Sequence, residues 1–230
     1  MRVLRALGDA FSYFSILPLR SSESAPDDAA IAFLPLVGLV IGALAGYAAY
    51  GIGLLTHSQL AAAIAAWVLS IALSGAIHVD GFLDCCDGLF AMAPPEKRLE
   101  IMRDPHHGSY AIVGMAILSV LWLYALAQVP ATIMPAFLPI VGFLGRLAVA
   151  VVRTRAAIAV GVVPLAVVFF WPPRFAAIVL VGIGILTTGI VTIFARHRLG
   201  GVLSGDCYGA AIVVTEVGLL LTYPALALLR

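Results

Sequence analysis

Three aspartates, Asp80, Asp84 and Asp87, stand at i, i+4 and i+7 in the run His78-Val79-Asp80-Gly81-Phe82-Leu83-Asp84-Cys85-Cys86-Asp87-Gly88. On a helix that spacing puts all three carboxyls on one face. Like charges on one face repel, and beside hydrocarbon they are costly unless something binds them. The residues between them are apolar, so one side of the helix can bury while the carboxyls face a cavity. Hard divalent ions such as Mg²⁺ take oxygen ligands and commonly combine a few carboxylates with substrate phosphates. The pattern therefore points to a Mg²⁺ site held by Asp80, Asp84 and Asp87, and to phosphate-transfer chemistry at a membrane surface. His78, two residues ahead of Asp80, is the candidate general base or phosphate donor.

Further groups fit such a site. Arg103, followed by Asp104, can grip phosphate in bidentate fashion. Gly205 and Asp206 end the glycine-rich stretch Gly200-Gly201-Val202-Leu203-Ser204-Gly205-Asp206, of a kind that exposes backbone N–H groups to phosphate at a helix start. Arg146 and Glu216 fall inside apolar segments, where charges are functional candidates or partners of each other. Adjacent His106 and His107 diverge on a helix and are not expected to act as a ligand pair.

The elements that must carry these groups are membrane helices. Of the 230 residues 63% are hydrophobic and 11% charged, with a mean hydropathy of +1.10, against roughly 25% charged residues in a soluble domain. Half of the twelve acidic residues fall between Asp80 and Asp104. The expected fold is an all-α polytopic bundle of about six or seven transmembrane helices, a single integral membrane domain over 1–230. Residues 1–20 read as an interfacial amphipathic helix, with Leu4, Leu7, Phe11, Phe14 and Leu17 at helical spacing, and 21–29 as a polar loop. Spans are expected near 31–54, 59–77, 109–128, 131–152, 157–171, 175–195 and 208–229. The fifth is short, contains Pro164, and reads as re-entrant or strongly tilted. Residues 78–108 form the one substantial polar connection, with a short helix starting at Pro95.

Alternating seven spans from an inside N-terminus leaves Arg2, Arg5, Arg20, Lys97, Arg98, Arg103, Arg153, Arg155, Arg196 and Arg198 on one side, with only Arg174 and Arg230 opposite. The positive-inside rule makes that side cytoplasmic, and with it the aspartate connection. No basic tract with interleaved aromatics supports nucleic-acid binding. Cys85, Cys86 and Cys207 lack zinc-type spacing and read as small buried residues.

The segment Ser74 to Phe90, followed by Arg98-Leu99-Glu100-Ile101-Met102-Arg103-Asp104, closely resembles the cobalamin (5′-phosphate) synthase family, also called adenosylcobinamide-GDP ribazoletransferases. Ser15-Ile16-Leu17-Pro18, Phe33-Leu34-Pro35-Leu36-Val37-Gly38 and Gly200 to Ala210 are similar as well, so the likeness covers most of the chain. Ser15, Val79 and Ala111 depart from the usual pattern, and Val79 stands where many members carry an acid. The resemblance implies transfer of the cobinamide phosphate of adenosylcobinamide-GDP to α-ribazole or its 5′-phosphate, with Mg²⁺, releasing GMP. It implies the cytoplasmic (inner) membrane of a prokaryote, with membrane lipid as surroundings. His78, Asp80, Asp84 and Asp87 would then be catalytic, and Arg103, Asp104, Arg146, Gly205 and Asp206 would contact substrate. Preference between the two acceptors, the number of metal ions and the oligomeric state stay open. Two other readings are a CDP-alcohol phosphotransferase, whose D-G-x-x-A-R run is missing here, and a divalent-cation transporter, which would need acids along the membrane interior.

Overall fold

The computed structural model describes residues 2–17, 26–170 and 174–228, and every regular element among them is helical. In chain order these are α1 (Arg2–Phe14), α2 (Asp28–Ala32), α3 (Leu34–Thr56), α4 (Gln59–Leu73), α5 (Ile77–Phe90), α6 (Pro95–Ile101), α7 (Ser109–Ala127), α8 (Met134–Arg153), α9 (Ala156–Phe170), α10 (Arg174–Arg198), α11 (Gly205–Leu221) and α12 (Tyr223–Ala227). The polar loop expected at 21–29 lies outside the described residues as far as residue 25, as do Arg20 and Arg230.

Glycine spacing decides the central packing. Gly38, Gly42 and Gly46 recur every fourth residue, forming one stripe along α3. A Cβ at Gly38 would overlap the carbonyl of Gly142, one at Gly42 that of Leu138, and one at Gly46 would sit 2.5 Å from the carbonyl oxygen of Met134. Partner numbers fall as α3 numbers rise, so α3 and α8 run antiparallel with their backbones touching. Around α8 the core is filled by Phe137, Leu138, Val141, Phe143 and Leu144 against Trp122, Leu126, Leu219, Leu220 and Tyr223. Between α10 and α11, the Thr187 hydroxyl donates to Thr215 Oγ1 at 2.9 Å, a typical interhelical bond where the surroundings offer no water. Gly42→Leu is expected to force α3 and α8 apart and to cost at least about 2 kcal/mol. A melting temperature in detergent equal to wild type would contradict that packing.

The outer faces are apolar. On α7, Ile112, Val113, Ile117, Val120 and Tyr124 are exposed, and on α10 Ile178, Ile185, Leu186, Ile190 and Ile193. A bundle with a hydrophobic exterior and all-helical backbone is what a bilayer selects. Five helices are long and apolar enough to cross: α3, α7, α8, most of α10, and α11 with α12; the pair α4 and α5 makes a sixth if taken as one broken span. The span expected at 59–77 is thus corrected. The described helix ends at Leu73, and α5 departs from its direction by 87°. If α4 crosses, α5 runs along the membrane surface. The described α9 has 15 residues, about 22 Å of rise, short of the roughly 30 Å hydrocarbon core. It nevertheless returns the chain, since α8 and α10 both end on the same side.

Cross-links identify the two ends of the bundle. At one, Gln59 Nε2 donates to the carbonyl of Val129 (2.5 Å) and Gln59 Oε1 accepts from the N–H of Ala131 (3.0 Å). At the other, Arg198 Nε donates to the carbonyl of Leu89 (2.8 Å) and Arg98 Nε to that of Ala93 (2.7 Å); Arg98 also bonds the Leu89 carbonyl. Two guanidiniums so close to the last carbonyls of α5 satisfy its C-terminus and oppose its dipole. These bonds, together with Arg153 against the first turn of α11, bring Arg98, Arg153 and Arg198 to one end, as the charge pattern expects.

The turn Ser74-Gly75-Ala76 makes the bend. Gly75 (φ 61°) and Ala76 (φ 58°) are both left-handed, a conformation glycine adopts freely and alanine does not. The Ile16 N–H donates to the Leu73 carbonyl at 2.9 Å, tying the end of α1 to this break. The interfacial helix therefore docks where the acidic helix begins, burying Ala10 and Phe11 against Ala30, Val37 and Ile41.

Candidate active site

The three aspartates share one face of α5, as their spacing requires, yet they meet three environments. The Asp80 side chain is 65% exposed and that of Asp84 16%, while Asp87 is buried. Asp87 Oδ2 accepts the N–H of Gly108 (2.6 Å) and Oδ1 that of Ala111 (3.0 Å). Those are orphan donors of the first turn of α7, so Asp87 acts as the N-cap of a helix from another segment. Its negative charge also complements the positive end of the dipole.

His107 lies between the other two carboxyls. Its Nε2 is 3.8 Å from Asp80 Oδ1, and its Nδ1 3.8 Å from Asp84 Oδ1. The two imidazoles diverge, as adjacent side chains are expected to, and that of His106 turns to Asp104. The Asp104 carboxylate accepts from the His106 backbone N–H (2.9 Å) and lies 2.8 Å from its Nδ1. That turn holds His106 outward and leaves His107 facing α5. Asp104 Oδ1 thereby shapes the loop. Arg103 is exposed on the same loop and has no ion pair among the described residues.

Asp206 comes from the first turn of α11. Gly81 allows the approach: a Cβ there would sit 2.9 Å from the Cα of Asp206, and one at Gly209 would sit 3.3 Å from the His78 backbone. Gly200 (φ 65°) and Gly201 (φ 97°) are both left-handed. The Gly201 N–H donates to the Arg196 carbonyl at 2.8 Å, closing the C-terminus of α10 in the manner of a Schellman turn. Gly205 and Asp206 instead open α11 beside the acidic face.

Arg146 is buried, and its guanidinium pairs with Glu216 and donates to the Gly142 carbonyl at 3.3 Å. Its expected contact with substrate is corrected accordingly: it lies inside the bundle, held by a counter-charge. His78 is also buried, with its ring 6.0 Å from that of Phe14 at 25°. Burial, with Arg146 adding to it, holds the imidazole well below its usual pKa. Its Nε2 has no hydrogen-bond partner among the described residues. Two positions from Asp80 on a helix is about 200° of rotation, so His78 faces away from the carboxyls and into a neighbouring cavity.

Asp84 is raised to about pKa 6, first by burial, then by repulsion from Asp80 and Asp206, against the opposing pull of His107. A carboxyl so raised penalises the folded protein at pH values above about 6, and the penalty fades as pH falls toward its ordinary value of 3.8. A divalent cation would remove it at neutral pH. In detergent, Mg²⁺ is therefore expected to raise the melting temperature at pH 7.5 and to do so much less at pH 5, where the proton already occupies Asp84. Equal Mg²⁺ shifts at both pH values would contradict this.

No three His, Cys, Asp or Glu side chains among the described residues converge to hold an ion unaided. The donor set still fits Mg²⁺, which commonly binds one or two carboxylates plus substrate phosphates. Asp80 and Asp84 supply those carboxylates, while both oxygens of Asp87 already accept backbone N–H bonds.

The model of the family described as "Cobalamin-5-phosphate synthase" matches residues 6–224. The chain belongs to that family. Among similar cobalamin-5-phosphate synthase relatives, the Deinococcus radiodurans adenosylcobinamide-GDP ribazoletransferase is 31% identical, covering 93% of this chain and 83% of its own length. The enzyme of the same name from Novosphingobium aromaticivorans is 32% identical, with 85% of each chain covered. That of Prochlorococcus marinus is 28% identical over 93% of this chain and 92% of its own. No solved structure matches significantly.

Proposed function

We propose that this chain transfers the cobinamide phosphate of adenosylcobinamide-GDP to a ribose hydroxyl of α-ribazole or its 5′-phosphate, the final assembly step of cobalamin. Family membership over residues 6–224 carries the reading, and the carboxylates of Asp80 and Asp84 beside Asp206 supply the chemistry it needs. The acceptor oxygen bonds to the phosphorus next to cobinamide while the bond from that phosphorus to the GMP phosphate oxygen breaks. GMP departs with the electron pair, and adenosylcobalamin or its 5′-phosphate remains.

Mg²⁺, when bound, would neutralise the diphosphate and the departing phosphate. Asp80 and Asp84 are the residues to hold it, and the charge of Asp206 acts on Asp84 as well. The hydroxyl proton passes to a group on this face outside the carboxylates that would hold the ion: Asp206 or the imidazole of His107. Asp87 positions, by fixing the start of α7 and hence His107 next to it. Exposed Arg103 is the cation left to meet substrate phosphate on this loop. The excess of basic residues at this end supports a cytoplasmic-facing site in the inner membrane of a prokaryote.

The test is purified protein in lipid nanodiscs with adenosylcobinamide-GDP, α-ribazole and Mg²⁺. GMP release that requires all three is expected. Radiometal flux into proteoliposomes without any GMP release would contradict transfer and favour a transporter.

A further inference from the structure

Beside the carboxylate face, a cavity of about 310 Å³ opens between α1, α2, α5, α8 and α11. Tyr13, Phe14 and Tyr208 give it aromatic walls, and His78, Asp206 and Arg153 are its polar groups. Asp206 belongs to both places: it lines the cavity and its charge acts on Asp84. We propose that this cavity seats the acceptor nucleoside, its flat heterocycle against the aromatic walls, and that Arg153 selects acceptors carrying a 5′-phosphate. The assignment rests on the transferase reading above.

Three observations support it. The volume lies at the lower end of small-ligand pockets, which start near 300 Å³. That suits one nucleoside and is too small for a donor that joins a macrocycle to a nucleoside diphosphate. The buried side chain of His78 lines this space. Phe14 stacks on the ring and fixes its plane. Arg153 is exposed, with its guanidinium carbon 5.4 Å from the centroid of the Tyr208 ring. It has no carboxylate partner among the described residues. A guanidinium oriented by an aromatic face and free of a counter-ion is suited to bidentate capture of phosphate.

The two charged groups of the cavity, Asp206 and Arg153, give the acceptor a direction. The hydroxyl to be phosphorylated lies toward Asp206 and Asp84, and the 5′ end of the same ribose lies toward Arg153. A nucleoside and its 5′-phosphate would then share one seat and differ only in their contact with Arg153.

The experiment is equilibrium binding of α-ribazole and of α-ribazole 5′-phosphate to the full chain in nanodiscs, for wild type, R153M and R153K. Wild type is expected to bind the phosphorylated acceptor more tightly. R153M should weaken that ligand about tenfold to a hundredfold and α-ribazole by less than about twofold. R153K, which keeps the charge without the planar fork, should recover part of the loss and shows that the site still folds. Equal weakening of both ligands, no weakening of either, or no binding to wild type would each overturn the proposal. The expected binding pattern without GMP release in the full assay would instead remove the transferase reading and leave the cavity assignment standing.

Discussion

Asp84→Asn should reduce GMP release by about 10²–10³-fold, the scale on which losing one well-placed electrostatic group slows a reaction. The same substitution should make the metal-free protein more stable at neutral pH. Asp84 sits near pKa 6 because it is buried beside Asp80 and Asp206, and a neutral amide of the same shape removes that repulsion. Stability and activity therefore move in opposite directions, as they do where a site is built for its ligand rather than for the fold. Asp87→Asn should behave differently. An amide oxygen can accept from only one of the Gly108 and Ala111 N–H groups, and its NH₂ would face the other donor. A weakened cap of that kind costs about 1 kcal/mol, so the melting temperature should fall while the Mg²⁺ dependence of the remaining activity persists. Activity assays across a Mg²⁺ titration, with melting curves in chelator, separate the two. Identical behaviour of the two variants would contradict the division of labour between these aspartates.

The largest stability effect should come from Arg146 and Glu216. Removing one partner of a buried ion pair leaves an uncompensated charge and costs roughly 3–5 kcal/mol. Arg146→Met or Glu216→Leu alone should therefore abolish the folded protein or sharply lower its melting temperature. The double variant has no buried charge, and replacing such a pair by apolar side chains of similar size is often neutral or stabilising. It should fold and release GMP. A folded double variant without activity would restore the substrate contact that the sequence pattern suggests for Arg146.

The helical bundle was readable because long apolar runs have few alternatives, and the one-face spacing of Asp80, Asp84 and Asp87 reports geometry directly. What escaped depends on distant partners. Asp87 is a cap only because the backbone N–H groups of Gly108 and Ala111, 21 and 24 residues away, return to it. His107 joins the site because Asp104 turns the loop at His106, a choice made by a few hydrogen bonds and not by any periodicity. The break after Leu73 was hidden because Ala76, unlike Gly75, carries no signal for the left-handed conformation it adopts. The helix stop at Gly200 and Gly201 was hidden because a helix stop and an anion cradle use the same residue type. Glu216 was the better guide to Arg146, since two opposite charges inside apolar helices have few partners but each other.

Mn²⁺, which shares the oxygen preference of Mg²⁺, allows the central claim to be measured by electron paramagnetic resonance on the protein in nanodiscs, titrated with and without adenosylcobinamide-GDP. Wild-type protein should bind Mn²⁺ more tightly when the diphosphate is present, and Asp84→Asn should lose that binding. Unchanged Mn²⁺ affinity in Asp84→Asn, with or without the diphosphate, would show that the acidic face of α5 does not hold the ion.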